Sequence, residues 1–245
     1  MNQPTFTLFD QPHVVVLLTT ICLLAAGLCF LNKRITPPDF RKNHRLLGVL
    51  LVANLVFWRL LFLLRADFHI GWDLPIHVCG MSQIFLAIYL WTEQQILYDI
   101  AFHWVITGST LGVLIPDLDI GFPSVRFFAL FVSHGFSLFV VLLLFFVQRH
   151  TPRPKSYHIS IWVLTLYACV FILPLDYLLK ANYLYMFEPP NINFPLLRFL
   201  PPWPWYWPVL FAFFYLLFRE IYVGSRQSLL RIIKREQERF QTGAG

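Results

Sequence analysis

Cys79 and His134 are the two residues of this chain whose types best suit covalent chemistry. A thiol becomes nucleophilic when a neighbouring imidazole takes its proton, and it can then form an acyl-enzyme. His77 is close in sequence, but residues two apart on a helix point about 200° away from each other. The base for Cys79 must therefore come from another helix at the same depth. The pattern predicts Cys79 as the nucleophile and His134 as the general base and then acid.

Other polar residues are predicted to bind a substrate beside this pair. Arg59 carries a planar guanidinium that suits a phosphate or carboxylate headgroup. Ser82 and Gln83 follow Cys79 by one helical turn, so they share its face and are predicted to orient a substrate carbonyl. His77 is predicted to orient these groups or to donate a hydrogen bond to an oxyanion.

Two other interpretations of the same residues are helix packing and metal binding. A free cysteine often packs as a small hydrophobe, and a membrane histidine often only hydrogen-bonds across helices. His77, Cys79 and His134 are also suitable zinc ligands, but the sequence offers no clear fourth ligand or short metal-binding motif. The sequence therefore predicts no metal and no other cofactor. The remaining cysteines are predicted to be packing residues: Cys22, Cys29 and Cys169.

The composition indicates that membrane helices position these residues. Hydrophobic residues make up 58% of the chain and charged residues 13%, whereas soluble domains are near half apolar and about one quarter charged. The net charge of +6 comes from basic residues that lie between apolar runs, which argues against a nucleic-acid-binding domain. We therefore expect an all-α membrane protein.

Seven apolar runs approach the roughly 20 residues that a transmembrane helix needs. The predicted spans are 13–31, 46–64, 74–91, 99–115, 125–147, 159–179 and 203–218. The fourth and seventh are the shortest, so a bundle of six spans stays open. Residues 1–218 are predicted to form one seven-helix transmembrane domain, followed by a basic amphipathic cytoplasmic tail over residues 219–245.

The basic residues predict the orientation of the bundle. Fourteen Lys and Arg residues lie on one side of the predicted spans and four on the other, with Arg59 inside a span. Because cytoplasmic loops carry the excess of basic residues, the side with fourteen is predicted to be cytoplasmic. With seven spans, the N-terminus is then outside and the C-terminus is in the cytoplasm.

On this topology several polar residues meet in one layer. At about 1.5 Å of rise per residue, Cys79, His134 and Arg59 all fall in the outer half of the bundle. His103 falls near the inner end and is predicted to be a core histidine. Ionisable residues in lipid are costly, so the shared layer predicts a functional site. Two residues of the outer loops are also predicted to contact the substrate: Asn182 and Tyr185.

Three segments of the chain resemble a known family. Residues 73–80 read DLPIHVCG and resemble the LPLHLC signature of bacterial YwaF-like integral membrane proteins. Residues 131–135, FVSHG, agree with that family. The third segment is NYLYM at 182–186 followed by PWPWY at 202–206. In this order they cover the predicted spans three to seven, and the resemblance implies a bacterial cell membrane as the location.

The resemblance also implies an activity. The YwaF-like family is distantly similar to a eukaryotic ether-phospholipid acyltransferase that uses a membrane cysteine and histidine, and these fall on Cys79 and His134. It is more distantly similar to membrane threonine hydrolases of branched fatty-acid esters. Their threonine would fall near Cys79, where this chain has no Thr. That departure favours thiol-dependent acyl transfer over threonine-dependent hydrolysis.

From the residues and the resemblance we expect a multi-pass membrane protein that acts on lipids as an acyltransferase or acyl hydrolase. Its expected partners are membrane lipids, with a phospholipid or acyl chain as substrate and no nucleic acid, and its oligomeric state is not predicted. The alternative is a non-enzymatic protein that binds or transports a small ligand or ion through an outer polar cavity.

Overall fold

The molecule is known from a computed structural model, which describes residues 4–34, 42–190, 192 and 194–241. Over these ranges the regular structure is helical, apart from one isolated bridge between Thr5 and Ile120. The predicted all-α membrane fold is confirmed. Positions 242–245 of the predicted tail lie outside the described residues.

Seven α-helices build the described part of the chain. They are α1 (Gln11–Arg34), α2 (His44–Leu64), α3 (Val78–Thr92), α4 (Gln95–Leu114), α5 (Val125–Phe146), α6 (Ser156–Leu179) and α7 (Tyr206–Gln241). Six are long and apolar enough to cross a membrane, and α3 is a shorter apolar helix of 15 residues. Helix α4 contains the π-helical segment Val105–Ser109, and α6 contains the π-helical segment Tyr167–Ile172. Two short 3-10 helices precede α7, at Tyr183–Tyr185 and Pro195–Phe199.

Helix α3 begins later than the sequence predicted. The predicted span begins at residue 74, but the N-cap is His77 and the helix begins at Val78. Asp73 does not cap α3, because its carboxylate accepts hydrogen bonds from Arg126 and from a backbone N–H in the preceding loop. Pro75 disfavours helical geometry at the residue before it, so this part of the connection forms turns instead.

Helix α7 is longer than the predicted seventh span. It runs unbroken over 36 residues, so the predicted tail continues the same helix as far as Gln241. At 1.5 Å per residue that length is about 54 Å, whereas the hydrocarbon core of a bilayer is about 30 Å thick. The basic end of α7 therefore extends past the segment that a bilayer can cover.

Much of the outward surface of the helices is apolar. Large hydrophobic side chains are exposed on helix after helix, including Leu23 on α1, Leu64 on α2, Phe171 on α6 and Phe213 on α7. Such a surface is unfavourable in water and is expected where lipid is the solvent. The fold is therefore that of a bundle with its polar groups turned inward.

The connections between helices gather on two faces of the bundle. We call one the long-loop face, formed by residues 4–10, 65–77, 115–124 and 180–190. The short-loop face is formed by residues 93–94 and 147–155. On the short-loop face, Arg153 and the buried carboxylate of Asp99 form an ion pair at 2.6 Å.

An ion-pair cluster fixes the long-loop face. The Asp73 carboxylate accepts two hydrogen bonds from Arg126, at 2.8 and 3.0 Å. Nε of Arg126 donates to the Asp67 carboxylate at 3.0 Å, and Nη2 also donates to the Asp67 carbonyl oxygen. The same guanidinium lies 4.7 Å from the centre of the Phe62 ring. These contacts attach the connection before α3 to the start of α5.

Candidate functional site

Cys79 is the second residue of α3, immediately after the turns of residues 73–77. The first N–H groups of a helix have no carbonyl partner within that helix. Ser82 donates a hydrogen bond to the carbonyl oxygen of Cys79 at 2.8 Å, which supports the first turn. Cys79 is half-buried, whereas the three other cysteines are exposed on the helix surfaces.

The thiol of Cys79 contacts α4 where that helix has no side chain. A Cβ added to Gly108 would lie 3.3 Å from Sγ of Cys79. Gly108 belongs to the π-helical segment Val105–Ser109, and such segments are rare and frequent at functional sites. The glycine therefore provides the space that the thiol occupies.

His134 lies on α5 and contacts the same helix at a second glycine. A Cβ added to Gly112 would lie 2.6 Å from Nε2 of His134. Gly108 and Gly112 are one turn apart, about 6 Å along the helix axis. The thiol of Cys79 and the imidazole of His134 thus contact neighbouring turns of α4.

The hydrogen bond of the His134 ring identifies its tautomer. Nδ1 lies 2.7 Å from the carbonyl oxygen of Leu130. A carbonyl oxygen only accepts, so Nδ1 carries the proton and Nε2 of the neutral ring has a free lone pair. No hydrogen bond joins Nε2 to Sγ of Cys79 within the described ranges, although both residues keep accessible surface. Catalytic hydrogen bonds are often long before substrate binds.

Arg59 lies near both histidines of the site and donates to backbone carbonyl groups. Its Nε donates to the carbonyl oxygen of Asp73 at 3.2 Å and its Nη1 to that of Leu55 at 3.4 Å. Nη2 donates to no group in the part of the chain that the structure describes, and the Asp73 carboxylate is already bound to Arg126. Arg59 interacts electrostatically with both His77 and His134. A guanidinium nitrogen without a hydrogen-bond acceptor among the described residues is therefore present near His77 and His134.

His77 is enclosed by aromatic rings. Its ring centre lies 4.7 Å from that of Tyr183, 5.9 Å from that of Trp72 and 6.5 Å from that of Tyr185. The Tyr183 hydroxyl is fixed in turn, since it donates to the carbonyl oxygen of Ile70 at 2.6 Å. The predicted role of His77 as an orienting group or donor stays a prediction.

Gln83 and Asn182 use their polar atoms within the protein. Gln83 donates to the carbonyl oxygen of Ser133 at 3.4 Å and accepts from Asn54 at 3.2 Å, which joins α2, α3 and α5. Asn182 accepts from the backbone N–H of Phe187 at 2.8 Å. Both side chains hold the scaffold of the site, and the substrate contacts expected of Ser82, Gln83, Asn182 and Tyr185 stay predictions.

His103 lies away from this group, toward the short-loop face. Its Nδ1 lies 2.7 Å from the carbonyl oxygen of Asp99 and 3.1 Å from the Ser160 hydroxyl, and its side chain is fully buried. The structure thus separates His103 from Cys79 and His134, as the alternation of spans predicted. Within the described residues no group of three or more His, Cys, Asp or Glu side chains could hold a metal ion.

Sequence reasoning missed two kinds of residue in this site. Gly108 and Gly112 were not singled out, although small residues one turn apart are the signal of close helix packing in membranes. Asp117 was missed as well, because it lies in the loop after α4, and no spacing rule relates it to Tyr185, with which it interacts.

We expect Gly80→Ala to displace the start of α3. A Cβ at this position would lie 2.5 Å from the carbonyl oxygen of Pro75, a backbone atom that cannot rotate away. Overpacking of this kind costs about 1–3 kcal/mol. Thermal unfolding in detergent should show a lower Tm, and the rate of Cys79 alkylation should change. Gly224→Ala is the control, since a Cβ there meets nothing within 4 Å. Equal Tm values for both variants would contradict the packing.

Comparison with known proteins identifies a family for this arrangement. No curated protein and no solved structure matches the chain. The family model of the TMEM164 family matches residues 8–222, a range that includes every residue of the site. This match covers most of the 245 residues. The chain therefore belongs to the TMEM164 family of membrane proteins.

Proposed function

We propose that this membrane protein is a lipid-directed acyltransferase or acyl hydrolase with Cys79 as its nucleophile and His134 as its base. The observation that carries the proposal is the contact of both side chains with adjacent glycine turns of α4. The tautomer of His134 supports it, because Nε2 has the lone pair that a base needs. The resemblance of residues 73–80 to YwaF-like proteins, and through them to an ether-phospholipid acyltransferase, points to the same pair.

The chemistry requires only groups of this chain and two substrates. Nε2 of His134 takes the proton of Sγ, and the thiolate of Cys79 attacks the carbonyl carbon of an acyl ester. The ester C–O bond breaks, and the departing alkoxide takes the proton from His134. An alcohol or water then gives its proton to His134 and attacks the thioester. The C–S bond breaks, and the thiolate regains its proton.

Arg59 supplies a positive charge to this reaction. We propose that its Nη2, which donates to no group among the described residues, binds a phosphate group of the lipid or the oxyanion of the tetrahedral intermediate. The apolar helix surfaces give an acyl chain an environment like the bilayer interior. We further propose that the long-loop face is external, as the distribution of basic residues indicates, and that the membrane is a bacterial cell membrane.

An acyl-labelling experiment tests the proposal. The purified protein is incubated with a phospholipid that carries an alkyne-tagged acyl chain, and hydroxylamine-sensitive label is quantified. We expect label on the wild-type chain and none on Cys79→Ala. His134→Gln should slow labelling strongly. Cys22→Ala, Cys29→Ala and Cys169→Ala are matched controls that should keep the label. Label on Cys79→Ala, or none on the wild type, would exclude Cys79 as the nucleophile.

A second candidate function is binding or transport of a small anion. The observation that favours it is Arg59, a cation within a membrane helix that forms no ion pair in the described part of the chain. Under this proposal the wild-type chain would acquire no acyl label. Binding of short-chain phosphatidic acid or inorganic phosphate, measured by calorimetry, would instead depend on Arg59.

We expect Arg59→Gln to raise the KM for a phospholipid substrate by about tenfold to a hundredfold, the usual effect of losing a hydrogen bond to a charged group. Arg59→Lys should restore part of the loss, because it keeps the charge but not the planar fork. The measurement is a KM and kcat series in mixed micelles. Arg65→Gln is the control, since Arg65 is exposed on the same face. An unchanged KM for Arg59→Gln would remove Arg59 from substrate binding.

A further inference from the structure

Two consecutive residues of the long-loop face have an unusual backbone conformation. Leu184 and Tyr185 have φ values of 55° and 57°, in the left-handed region that residues with a Cβ rarely adopt. Strained positions of this kind persist only where the surrounding structure determines them, and they cluster at functional sites. The strained backbone therefore marks Tyr185 as a candidate functional residue.

Hydrogen bonds hold this conformation from both sides. The backbone N–H of Tyr185 donates to the carbonyl oxygen of Asn182 at 3.1 Å. The carbonyl oxygen of Tyr185 accepts from the Tyr206 hydroxyl at 2.6 Å, which ties the loop to the start of α7. The position of the Tyr185 side chain is thus set by the fold rather than by its own preference.

The strained backbone brings the Tyr185 ring into the site. Its ring centre lies 6.5 Å from that of His77, and its phenol interacts electrostatically with Cys79. The phenol also interacts with the carboxylate of Asp117, in the loop between α4 and α5. Asp117 and Tyr185 both keep accessible surface, as Cys79 and His134 do.

The protonation states of the pair follow from their surroundings. Burial, together with the neighbouring Asp117 carboxylate, raises the pKa of Tyr185 well above its ordinary value, so the phenol keeps its proton. Burial also raises the pKa of Asp117, and the Tyr185 hydroxyl opposes that rise. A protonated phenol near a carboxylate can donate to it, and the phenol oxygen keeps lone pairs that can accept a hydrogen bond.

We infer that Tyr185 and Asp117 form an alcohol-binding subsite, which holds the hydroxyl group of the acceptor that attacks the Cys79 thioester. The inference rests on the proposed function and adds a partner for one specific group of the substrate. The acceptor O–H is shared between the phenol oxygen of Tyr185 and Nε2 of His134. When the C–O bond forms and the C–S bond breaks, the proton passes to His134. Tyr185 exchanges no proton and acts as a positioning residue.

The test separates the two halves of the reaction. Alkyne-tagged phosphatidylcholine is the acyl donor and lysophosphatidylethanolamine the alcohol acceptor. Acyl label on Cys79, transfer to the acceptor and release of free fatty acid are measured for each chain. For Tyr185→Phe we expect acyl label within about twofold of wild type and transfer reduced about tenfold, the effect of one lost hydrogen bond. Fatty-acid release should fall less, so the ratio of transfer to hydrolysis drops.

Matched variants make the result specific. Asp117→Asn should lower the same ratio, and Asp119→Asn and Tyr177→Phe should not, since both of these residues are exposed. Transfer and acyl labelling that fall in parallel in Tyr185→Phe would show a merely structural role and overturn the inference. An unchanged ratio, or a wild type that transfers nothing to the alcohol, would overturn it too. A wild type without acyl label would overturn the proposed function itself.

Discussion

Gly112→Ala is expected to reduce kcat/KM at least a hundredfold without unfolding the protein. The added Cβ would lie 2.6 Å from Nε2 and 2.7 Å from Cδ2 of His134, so the imidazole must move. Its Nδ1 is bound to the carbonyl oxygen of Leu130 at 2.7 Å, so a move breaks that bond or tilts the ring. A displacement of about 1 Å in a catalytic group can cost a hundredfold in rate.

The loss of kcat/KM in Gly112→Ala should come from displacement of the His134 imidazole and not from unfolding of the protein. Alanine is favoured over glycine within helices by about 0.8–1.0 kcal/mol, which offsets part of the packing strain. Gly108→Ala is the matched variant, because its Cβ would lie 3.3 Å from Sγ of Cys79 and needs a shift of only a few tenths of an ångström. We expect a much smaller loss there. Gly135→Ala, on the same helix as His134, should be nearly neutral. Equal activity in all three would contradict the role of the glycines.

Asp73→Asn is expected to destabilise the protein by about 1–3 kcal/mol, because Arg126 loses the buried one of its two carboxylate partners and keeps only the more exposed Asp67. The Asp73 carboxylate is buried and bound to two nitrogens of Arg126. Its backbone carbonyl also accepts from Arg59. The substitution should therefore lower the Tm in detergent and also weaken substrate binding.

A double-mutant cycle checks this prediction. Asp73→Asn, Arg126→Gln and the double variant are compared by thermal or denaturant unfolding, and a coupling of at least about 1 kcal/mol is expected for residues in direct contact. Asp67→Asn serves as the control. Its side chain is 43% exposed, against 5% for Asp73, so its effect should be smaller. A coupling near zero would show that the pair does not hold the face together.

The helical fold and much of the candidate site were predictable from the sequence. Apolar runs identify membrane helices because lipid imposes a length and an internal hydrogen-bond pattern on them. Alternation of the spans then brought Cys79 and His134 to the same end of the bundle and His103 to the other. This reasoning needs only the count of crossings, which is why it held without any knowledge of side-chain contacts.

The details of the site depended on contacts that no local pattern encodes. Asp73 directly precedes the predicted third span, but its carboxylate binds Arg126, which is 53 positions away. Helix α3 begins at Val78 rather than at residue 74, because the ion pair of Asp73 and the ring of Pro75 both disfavour helical geometry before that point. In the sequence, Gly108 and Gly112 are two residues of an apolar run, and their role is visible only from the packing of α3 and α5 against α4. The interaction of Tyr185 with Asp117 likewise follows from two loops that meet only in three dimensions.

The π-helical segment of α4 sets the rotational register between the two halves of that helix. The half before it is anchored near the short-loop face, where Nε1 of Trp104 donates to the carbonyl oxygen of Ser160 at 3.1 Å. The half after it presents Gly112 to His134. A π turn holds one residue more than an α turn. Deleting Ile106 would restore the α spacing and turn the second half by about 100°. Larger side chains would then face the Cys79 thiol and the His134 imidazole in place of the glycines. The extra residue of the π turn therefore keeps the glycines opposite these two groups.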